Sequence, residues 1–415
     1  MRFGIHTLDD FDLSGKTVLG RIDINQPVDR ETATLKSTAR ISACVPTLRE
    51  ITDAGAKLVL LAHQGSDIEY ENFYTTAPHA VVLSELLGKQ VGFVEDVCGP
   101  TARQAIQSMQ AGDIILLDNV RFCSEEQTLF ELKLRLTHQQ QAQTEVVRKL
   151  APLADLYVCD AFAAAHRDQP SLCGFEMLLP SAMGRLFERE YCVISELMQA
   201  PARPCVFILG GSKVSDAFLM METVLQSGAA DKVLAGGLVG HILLLAKGFD
   251  IGSETTALIK KKGYYDFVEK SKPLIATFAD RILLPTDLAY LDASGARAET
   301  SAASVPSNAS VLDIGSQTAH TFAAEILAAE TAFANGPMGV FERPETQLGT
   351  KAVWQALGDT SAHTVIGGGD SITAAQKYHV MDKISYVCTG GGALIRFLTG
   401  EELPVVKALR TAASR

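Results

Sequence analysis

The sequence predicts an α/β protein made of two doubly wound, parallel-sheet domains of the Rossmann type, joined by a long helix and a hinge. Short apolar, β-branched runs recur along the chain, and each is followed by a polar or glycine-rich loop and then by helical periodicity. This pattern fills the chain before residue 180 and resumes after residue 200. At 415 residues, of which 47% are hydrophobic, the chain is long enough to form two such domains.

Nine apolar runs are the predicted strands. In the first half of the chain they lie at 17–22, 57–62, 114–117 and 155–159. In the second half they lie at 205–209, 232–235, 331–334, 363–366 and 384–388. Because a helical segment follows each run, we expect the strands of each half to pair in parallel.

One amphipathic segment, 179–200, is predicted to join the domains. Its apolar residues recur at steps of three and four, and they are Met183, Phe187, Tyr191, Ile194 and Met198. We interpret the segment as an interdomain helix, and a buried helix inside one domain is the alternative. The predicted domains are therefore 1–178 and 201–397. Residues 292–310, rich in Ala, Ser and Thr, are expected to form a surface excursion.

Composition excludes several classes of protein. The net charge of −11 argues against a nucleic-acid surface, so an anionic substrate needs a local cluster of basic residues. Eight cysteines without a C-x-x-C pair favour buried free thiols over a zinc site or a disulfide framework. No apolar stretch of about 18 residues and no cleavable leader is visible. We expect a soluble, cytoplasmic protein with neither membrane nor nucleic-acid partners.

Basic and polar residues follow the strands of the first half. Ligands of open parallel sheets bind beyond the carboxyl ends of the strands. The residues at those positions are Asp23, Asn25, Pro27, His63, Arg121, His166 and Arg167, and Arg40 is predicted to open a helix. A single arginine there is usually a surface ion pair. Several cationic groups at one sheet edge instead suit a small polyanion, because guanidinium groups match phosphate and carboxylate oxygens.

Glycine-rich turns follow the strands of the second half. They lie at 210–213, 236–237, 335–339, 367–370 and 389–392. Each could be merely a tight turn, but glycine also lets main-chain N–H groups approach phosphate oxygens at a helix start. Five such turns favour a nucleotide phosphate site.

Two side chains in these turns have alternative interpretations. Asp370 is either a helix N-cap or a carboxylate ligand for the magnesium that accompanies nucleotide phosphates. Lys213 is either a solvated surface lysine or a cation beside a transferring phosphoryl group. The GKT at 15–17 fails as a Walker motif because its first glycine would fall on Asp10. No G-x-G-x-x-G follows a strand, which weakens the alternative of a nicotinamide oxidoreductase.

Taken as a set, the motifs resemble the phosphoglycerate kinase family, and most closely its archaeal branch. The matching stretches occur in the family's order and cover nearly the whole chain. They are RIDINQPVD, RISACVPTLREITDAGAKLVLLAHQG, LLDNVRFCSEE, VVRKLAPLADLYVCDAFAAAHRDQPS, PCVFILGGSKVSDA, GPMGVFE, GTKAV, IGGGDS and CTGGGA.

The resemblance implies a hinge-bending kinase of glycolysis and gluconeogenesis. It would move a phosphoryl group reversibly between 1,3-bisphosphoglycerate and ADP, giving 3-phosphoglycerate and ATP, with Mg2+. Its partners would be these small molecules, and it would be a monomer, with a dimer as the alternative. The tail, 398–415, is expected to pack back on the amino-terminal domain.

The resemblance also implies roles for individual residues. Those expected to bind 3-phosphoglycerate are Asp23, Asn25, Arg40, His63, Arg121 and Arg167. Those expected to bind the nucleotide are Gly211, Lys213, Gly236, Gly237, Asn335, Glu342, Gly367, Gly368, Gly369, Asp370 and Ser371, with Asp370 also holding the metal. Those expected to act on the transferring group are Arg40, Lys213, Gly369 and Gly392.

Two departures from the family pattern weaken the expected site. Ser66 stands where the family has a substrate-binding arginine, and the loss of one such contact costs about 1.5 to 3 kcal/mol. Ala217 stands where many members have a second lysine. These changes motivate an alternative: a regulatory paralogue that binds nucleotide or metabolite with reduced or lost kinase activity.

Overall fold

The computed structural model describes residues 1–29, 31–32, 34–65, 74–127 and 132–415. The chain divides into two compact units. The first contains Met1–Cys192 together with Glu402–Arg415, and the second contains Val193–Glu401. Among the described residues, every helix is too short or too polar to cross a bilayer.

A six-stranded parallel sheet forms the centre of the first unit. Its strands are β1 (Thr17–Arg21), β2 (Lys57–Leu61), β3 (Val91–Val94), β4 (Ile114–Leu117), β5 (Leu156–Cys159) and β6 (Ser181–Met183), in the order β3-β4-β2-β1-β5-β6. The four predicted strands are present. We missed β3 and β6 because they are short, with four and three residues, and carry no long apolar run.

Helices pack around this sheet and against one another. In the described part of the first unit, the α-helices include Ala39–Asp53, Ala77–Leu87, Pro100–Ser108, His138–Gln141, Glu145–Leu150, Pro170–Cys173 and Pro404–Ala413. In Ala39–Asp53 the buried residues Ile41, Cys44, Leu48 and Ile51 recur at steps of three and four, as the amphipathic pattern requires. They join β1, β2 and β5 in a single hydrophobic core.

A second six-stranded parallel sheet forms the centre of the second unit. Its strands are β7 (Cys205–Leu209), β8 (Lys232–Ala235), β9 (Ile282–Leu283), β13 (Thr331–Asn335), β14 (His363–Gly367) and β15 (Tyr386–Cys388), in the order β15-β14-β13-β7-β8-β9. All five strands predicted for this half are present, so the predicted fold class is confirmed.

The second unit also contains a small antiparallel sheet. It consists of β10 (Asp287–Leu291), β11 (Arg297–Ser301) and β12 (Val311–Ile314). Residues 292–310, predicted as a surface excursion, are mostly exposed, and they also contain β11, which was not predicted. The sequence RAETS is only half-buried and has no apolar alternation, so its pairing with β10 left no signal in the sequence.

The α-helices of the second unit pack on both sides of its sheets. They are Val214–Gln226, Gly237–Ala246, Ser253–Lys261, Asp266–Thr277, Ser316–Leu327, Leu348–Asp359, Gly369–Lys377 and Gly391–Leu398. The fully buried Trp354 and Phe322 lie in their core, and the indole of Trp354 donates to the Ser371 carbonyl oxygen at 3.1 Å. This bond holds the start of Gly369–Lys377 against Leu348–Asp359.

The helix predicted at 179–200 is shorter than expected, Arg185–Gln199. Residues Ser181–Met183 of the predicted helix instead form β6, because they pair in parallel with β5. Gly184 ends the strand, and a Cβ there would lie 2.3 Å from the Asp160 carboxylate. The boundary between the two units falls within this helix.

Candidate active site

Four arginines surround the imidazole of His63, which lies two residues beyond β2. Burial lowers the pKa of His63 well below its usual range, and the positive charges of Arg121, Arg21, Arg167 and Arg40 lower it further. The structure therefore brings three of the predicted substrate-binding arginines to one sheet edge. His63 stays neutral near pH 7 and adds a hydrogen-bonding group without adding a fifth charge.

Arg21, which the sequence analysis missed, holds His63 in place. Its side chain is fully buried and donates to the Ser171 hydroxyl at 3.0 Å and to the Ile22 carbonyl oxygen at 2.6 Å. Its Nη2 lies 3.1 Å from Nδ1 of His63. Because a guanidinium group only donates, Nδ1 must accept, and the imidazole proton therefore sits on Nε2. His63 is thus prepared to donate from Nε2.

A buried carboxyl group lies behind Arg21. Glu126 is fully buried and accepts hydrogen bonds from the backbone N–H and the hydroxyl of Ser171, at 2.6 and 2.8 Å. Burial raises the pKa of Glu126 to about 7, although Arg21 and Ser171 act in the opposite direction. Near pH 7, Glu126 therefore offsets only part of the positive charge that the arginines bring to the sheet edge.

A chain of hydrogen bonds connects the other predicted triose-binding residues. Arg40 donates to the Asp23 carboxylate at 2.8 Å, and the Arg40 side chain remains 41% exposed. Asp23 accepts from the Asn25 N–H at 3.1 Å, and the Asn25 side-chain oxygen accepts from the Gly65 N–H at 3.0 Å. The Gly65 carbonyl oxygen in turn accepts from Arg121 at 2.6 Å. These bonds join the ends of β1, β2 and β4 into one preorganised surface.

The remaining residues of this group lie after β5. Arg167 and His166 are half-buried, and the Arg167 N–H donates to the Ala164 carbonyl oxygen at 2.9 Å. Arg167 is close enough to His63 to lower the pKa of that imidazole. Ser66, the predicted departure from the family pattern, lies outside the described residues.

In the second unit, a cavity of about 100 Å³ collects most of the predicted phosphate-binding residues. Its lining residues are Gly210, Gly211, Ser212, Lys213, Asn335, Gly336, Gly368, Gly369, Asp370, Ser371 and Ile395. Five residues of this unit that were predicted for the nucleotide or the transferring group are not among them: Gly237 and Glu342, which line an adjoining cavity, and Gly236, Gly367 and Gly392, which line neither. Gly392 is exposed in the first turn of Gly391–Leu398, the helix that contributes Ile395 to the lining.

Two helices begin at this cavity. Lys213 is the N-cap residue of Val214–Gln226, and Gly368, with φ of 89°, is the N-cap residue of Gly369–Lys377. The interpretation of Asp370 as an N-cap is therefore wrong, since Asp370 lies inside the first helical turn. The first N–H groups of a helix have no intrahelical acceptor and carry the positive end of the helix dipole. Both helix starts can therefore bind an anion.

Several glycine N–H groups that we expected to face a ligand are used within the protein. Those of Gly211 and Gly237 donate to the carbonyl oxygens of Pro337 and Met338 at 2.7 and 2.8 Å, and Gly236 donates to Leu209 at 2.9 Å. That part of the sequence interpretation was wrong for these three amides. The glycines are needed for close packing of three loops.

Steric contacts show why side chains cannot occupy these turns. A Cβ on Gly210 would lie 2.2 Å from the Pro337 carbonyl oxygen, and one on Gly237 would lie 2.7 Å from Gly211 N. Gly237 and Gly211 also adopt φ of 55° and 75°, in the left-handed region that favours glycine. The loops form a cradle whose shape depends on backbone packing, and the helix starts supply its donors.

Polar side chains complete the cavity. The side-chain nitrogen of Asn335 is buried and has no hydrogen-bond acceptor among the described residues, an arrangement that a phosphate oxygen would satisfy. Lys213 is exposed and forms no salt bridge within the described part of the chain. Ser371 is buried, and its hydroxyl accepts from the Gly336 N–H at 2.8 Å, so its role is to position the turn.

An adjoining cavity of about 230 Å³ shares Gly211, Ser212 and Asp370 with the first. Predicted residues Gly237 and Glu342 line it, together with apolar side chains that the sequence analysis missed: Leu238, Leu258, Leu312, Val340 and Phe341. These apolar residues come from four separate segments of the chain, so no local sequence motif predicts them. Buried His241 also lines the cavity, and burial lowers its pKa to about 4, so it is neutral.

The arrangement of donors fits a magnesium ion with nucleotide phosphates. Asp370 is exposed and lines both cavities. Mg2+ is commonly held by one or two carboxylates together with phosphate oxygens and water, without a full cage of protein ligands. One carboxylate beside two anion-attracting helix starts meets that requirement.

Comparisons with known proteins agree on one family. The family model described as Phosphoglycerate kinase matches residues 8–401. The chain is 42% identical over 413 residues to the phosphoglycerate kinase of Methanothermus fervidus, covering 100% of this chain and 98% of that one. It is 43% identical over 407 residues to that of Methanothermobacter thermautotrophicus, covering 98% and 97%. The crystal structure of phosphoglycerate kinase from Pyrococcus horikoshii OT3 matches with a TM-score of 0.85 and 39% identity, covering 99% of this chain and 100% of that chain.

Proposed function

This chain belongs to the phosphoglycerate kinase family, and from that premise we propose that it catalyses reversible phosphoryl transfer between 1,3-bisphosphoglycerate and ADP. The products are 3-phosphoglycerate and ATP. The observation that carries the proposal is the full-length match, supported by a separate set of ligand-binding residues for each substrate. The relatives named above are phosphoglycerate kinases, and nothing in the comparisons favours the regulatory alternative.

The first unit binds the triose in this proposal. Arg40, Arg121 and Arg167 supply positive charge around His63, which suits the phosphate and carboxylate of 3-phosphoglycerate. His63 donates from Nε2, because Arg21 occupies Nδ1. Asp23 and Asn25 position Arg40 and Gly65 through the hydrogen bonds described above. The charge cluster also explains how a chain with a net charge of −11 attracts an anion.

The second unit binds the nucleotide. The apolar cavity suits adenine and ribose, with Gly237 and Glu342 in its lining and Gly236 directly before Gly237, and the smaller cavity suits the phosphates. The starts of Val214–Gln226 and Gly369–Lys377 supply N–H donors, and Lys213 and Asn335 supply side-chain donors.

Asp370 would hold Mg2+ in this proposal, and the ion would supply positive charge to the nucleotide phosphates. Side chains and N–H groups of both units supply the rest of the charge stabilisation in this proposal. Lys213, Arg40 and the Gly369 N–H act on the transferring phosphoryl group, with Gly392 as a further donor. No side chain acts as a covalent nucleophile, because the attacking oxygen belongs to the triose carboxylate or to the ADP β-phosphate.

Transfer requires that the two ligands meet. Since the triose-binding and nucleotide-binding residues belong to different compact units, we propose that closure about the helix Arg185–Gln199 brings the ligands together. The sequence-based domains, 1–178 with the tail 398–415 and 201–397, are assigned these two roles as part of the proposal. We also propose a cytoplasmic monomer, because its substrates are soluble metabolites and each substrate has its own binding unit within one chain.

A coupled assay with ATP and 3-phosphoglycerate tests the proposal directly. We expect turnover that requires Mg2+, and Lys213→Met is expected to reduce kcat by about 10² to 10³-fold. Lys261→Met is the matched control, because Lys261 is an exposed lysine at the end of Ser253–Lys261 and lines neither cavity. No turnover at millimolar substrate, or equal losses in both variants, would contradict the proposed function.

A further inference from the structure

Two cysteines of the first unit lie in contact beside an open pocket. The thiols of Cys98 and Cys123 are close enough that each is the largest single influence on the pKa of the other. Both line a pocket of about 460 Å³, together with Phe122 and Lys149. Cys123 is half-buried and Cys98 is 6% exposed, so a small reagent in the pocket can reach the pair.

The parallel sheet brings these cysteines together. Val94 in β3 is paired with Leu117 in β4, and the Asp118 N–H donates to the Asp96 carbonyl oxygen at 3.2 Å just beyond the strands. Cys98 lies in the turn after β3, and Cys123 follows the short 3₁₀ helix Val120–Phe122 after β4. Their contact is therefore a consequence of strand pairing, although 25 residues separate them in sequence.

The surroundings favour one thiolate in the pair. The Cys123 side chain is the largest cause that lowers the pKa of Cys98, and the Lys149 ammonium group lowers it further, against burial and the nearby carboxylates. The same contact raises the pKa of Cys123, because a second negative charge beside the first is unfavourable. Peroxides oxidise thiols according to their thiolate character, so the lowered pKa of Cys98 beside the pocket favours its oxidation.

We propose that Cys98 and Cys123 are a modification site that closes to a reversible disulfide on exposure to a hydroperoxide and thereby weakens triose binding. The Cys98 thiolate attacks the peroxide, forming a sulfur–oxygen bond as the oxygen–oxygen bond breaks, and the departing alkoxide takes up a proton to become an alcohol. The Cys123 sulfur then attacks this sulfenic acid, the sulfur–sulfur bond forms, and hydroxide leaves with the Cys123 proton as water. Two thiols are oxidised, and one hydroperoxide is reduced by two electrons.

The disulfide acts on triose binding through Arg121, and this part rests on the proposed function. Arg121 lies two residues before Cys123 in the same turn, where the Cys123 N–H donates to the Val120 carbonyl oxygen at 3.0 Å. Closing the sulfur–sulfur bond to about 2.05 Å pulls Cys123 toward Cys98. Arg121 is held to the Gly65 carbonyl oxygen at 2.6 Å, and a shift of the turn disturbs that contact. Displacements of about 1 Å at a binding residue can cost up to about 100-fold.

The first experiment tests disulfide formation without an activity readout. The full chain is treated with hydrogen peroxide, free thiols are alkylated, and the digest is mapped by mass spectrometry. We expect one cross-linked peptide pair containing Cys98 and Cys123, which dithiothreitol separates. Cys98→Ser and Cys123→Ser must each abolish this pair, whereas the buried Cys205→Ala control must retain it. Separately alkylated or over-oxidised Cys98 and Cys123 in the wild type would overturn the proposal.

The second experiment measures the consequence for the triose. We expect peroxide to raise KM for 3-phosphoglycerate about tenfold, to leave the Kd for Mg-ADP within about twofold, and to be reversed by dithiothreitol. The two serine variants must show no change with peroxide. A disulfide that leaves KM unchanged would overturn the proposed effect. Absence of turnover in the reduced enzyme would instead contradict the kinase assignment, while the peptide map would still decide whether the disulfide forms.

Discussion

Replacing the buried Arg21 tests how the triose-binding cluster is built. Arg21→Met keeps most of the side-chain volume and removes the charge and the three hydrogen bonds to Ser171, Ile22 and His63. It also leaves Glu126 buried without its nearest compensating charge. The variant therefore probes both the stability of the first unit and the orientation of His63.

The magnitude follows from the burial. Arg21 is 0% exposed, so water cannot replace the lost partners. Breaking a buried charge network by removing one partner costs about 3 to 5 kcal/mol. Glu126 can take up a proton, because its pKa is already about 7, and this relaxes part of the penalty. We expect a loss of about 3 kcal/mol in the free energy of unfolding.

The kinetic effect is expected to be selective. Without Arg21, the Nδ1 atom of His63 loses its donor, so the imidazole no longer holds its proton on Nε2 in a fixed orientation. Loss of such a supporting partner typically costs about 10 to 100-fold. KM for 3-phosphoglycerate should rise by about that factor, and the Kd for Mg-ADP should stay the same.

Urea unfolding and steady-state kinetics measure the two effects. Arg103→Met is the matched control, because Arg103 is exposed on Pro100–Ser108 and contacts only the Gly99 carbonyl oxygen, at 3.3 Å, among the described residues. It should change stability by less than about 0.5 kcal/mol. If Arg21→Met loses less than about 1 kcal/mol and leaves KM unchanged, the network does not have the role assigned to it.

Three further predictions concern single side chains. Arg40→Ala should lower kcat by about 10² to 10³-fold and leave the affinity for Mg-ADP unchanged. Arg49→Ala, at an exposed position of the same helix, should leave kcat unchanged. An equal loss of nucleotide binding in Arg40→Ala would show that Arg40 is misassigned. Asp370→Asn should reduce kcat/KM for Mg-ATP at least about tenfold and raise the Mg2+ concentration required for activity. Its melting temperature should stay the same. An unaltered Mg2+ dependence would contradict the role of Asp370 as a metal ligand. Because burial lowers the pKa of His241 to about 4, the contribution of this residue to stability is complete above pH 6.5 and is lost as pH falls toward 4. His241→Leu should remove about 3 kcal/mol of this pH dependence of the free energy of unfolding, whereas the exposed His320→Leu should leave it unchanged. Identical pH profiles of wild type and His241→Leu would refute this prediction.

Much of the fold was predictable because its signals are local. Each buried parallel strand needs an apolar run, and each crossover needs a helix, so nine strands were visible from the sequence alone. Six described strands were missed. Strands β3, β6 and β9 are short, and β10, β11 and β12 pair in a small antiparallel sheet outside the strand–helix alternation. Their formation depends on the neighbouring strand, and the neighbour lies far away in sequence.

The candidate site was predictable to a different degree in each unit. Arginines that follow strands and glycines that precede helices could be predicted as site residues from the sequence, because the carboxyl ends of parallel strands lie along one edge of the sheet. Arg21 gave no such signal, since it lies inside the β1 run and its importance comes from contacts with Ser171 and His63. The apolar walls of the second cavity are likewise assembled from separate segments.

The sequence by itself determined the alternation of strand and helix, the positions of the charged and glycine-rich turns, and the family. Only the tertiary structure decided which groups are available to a ligand. It placed Arg21 behind His63, used the N–H groups of Gly211 and Gly237 for packing between loops, and brought Cys98 against Cys123. The physical reason is that hydrogen bonding and burial depend on distances in space, whereas a motif records only distance along the chain.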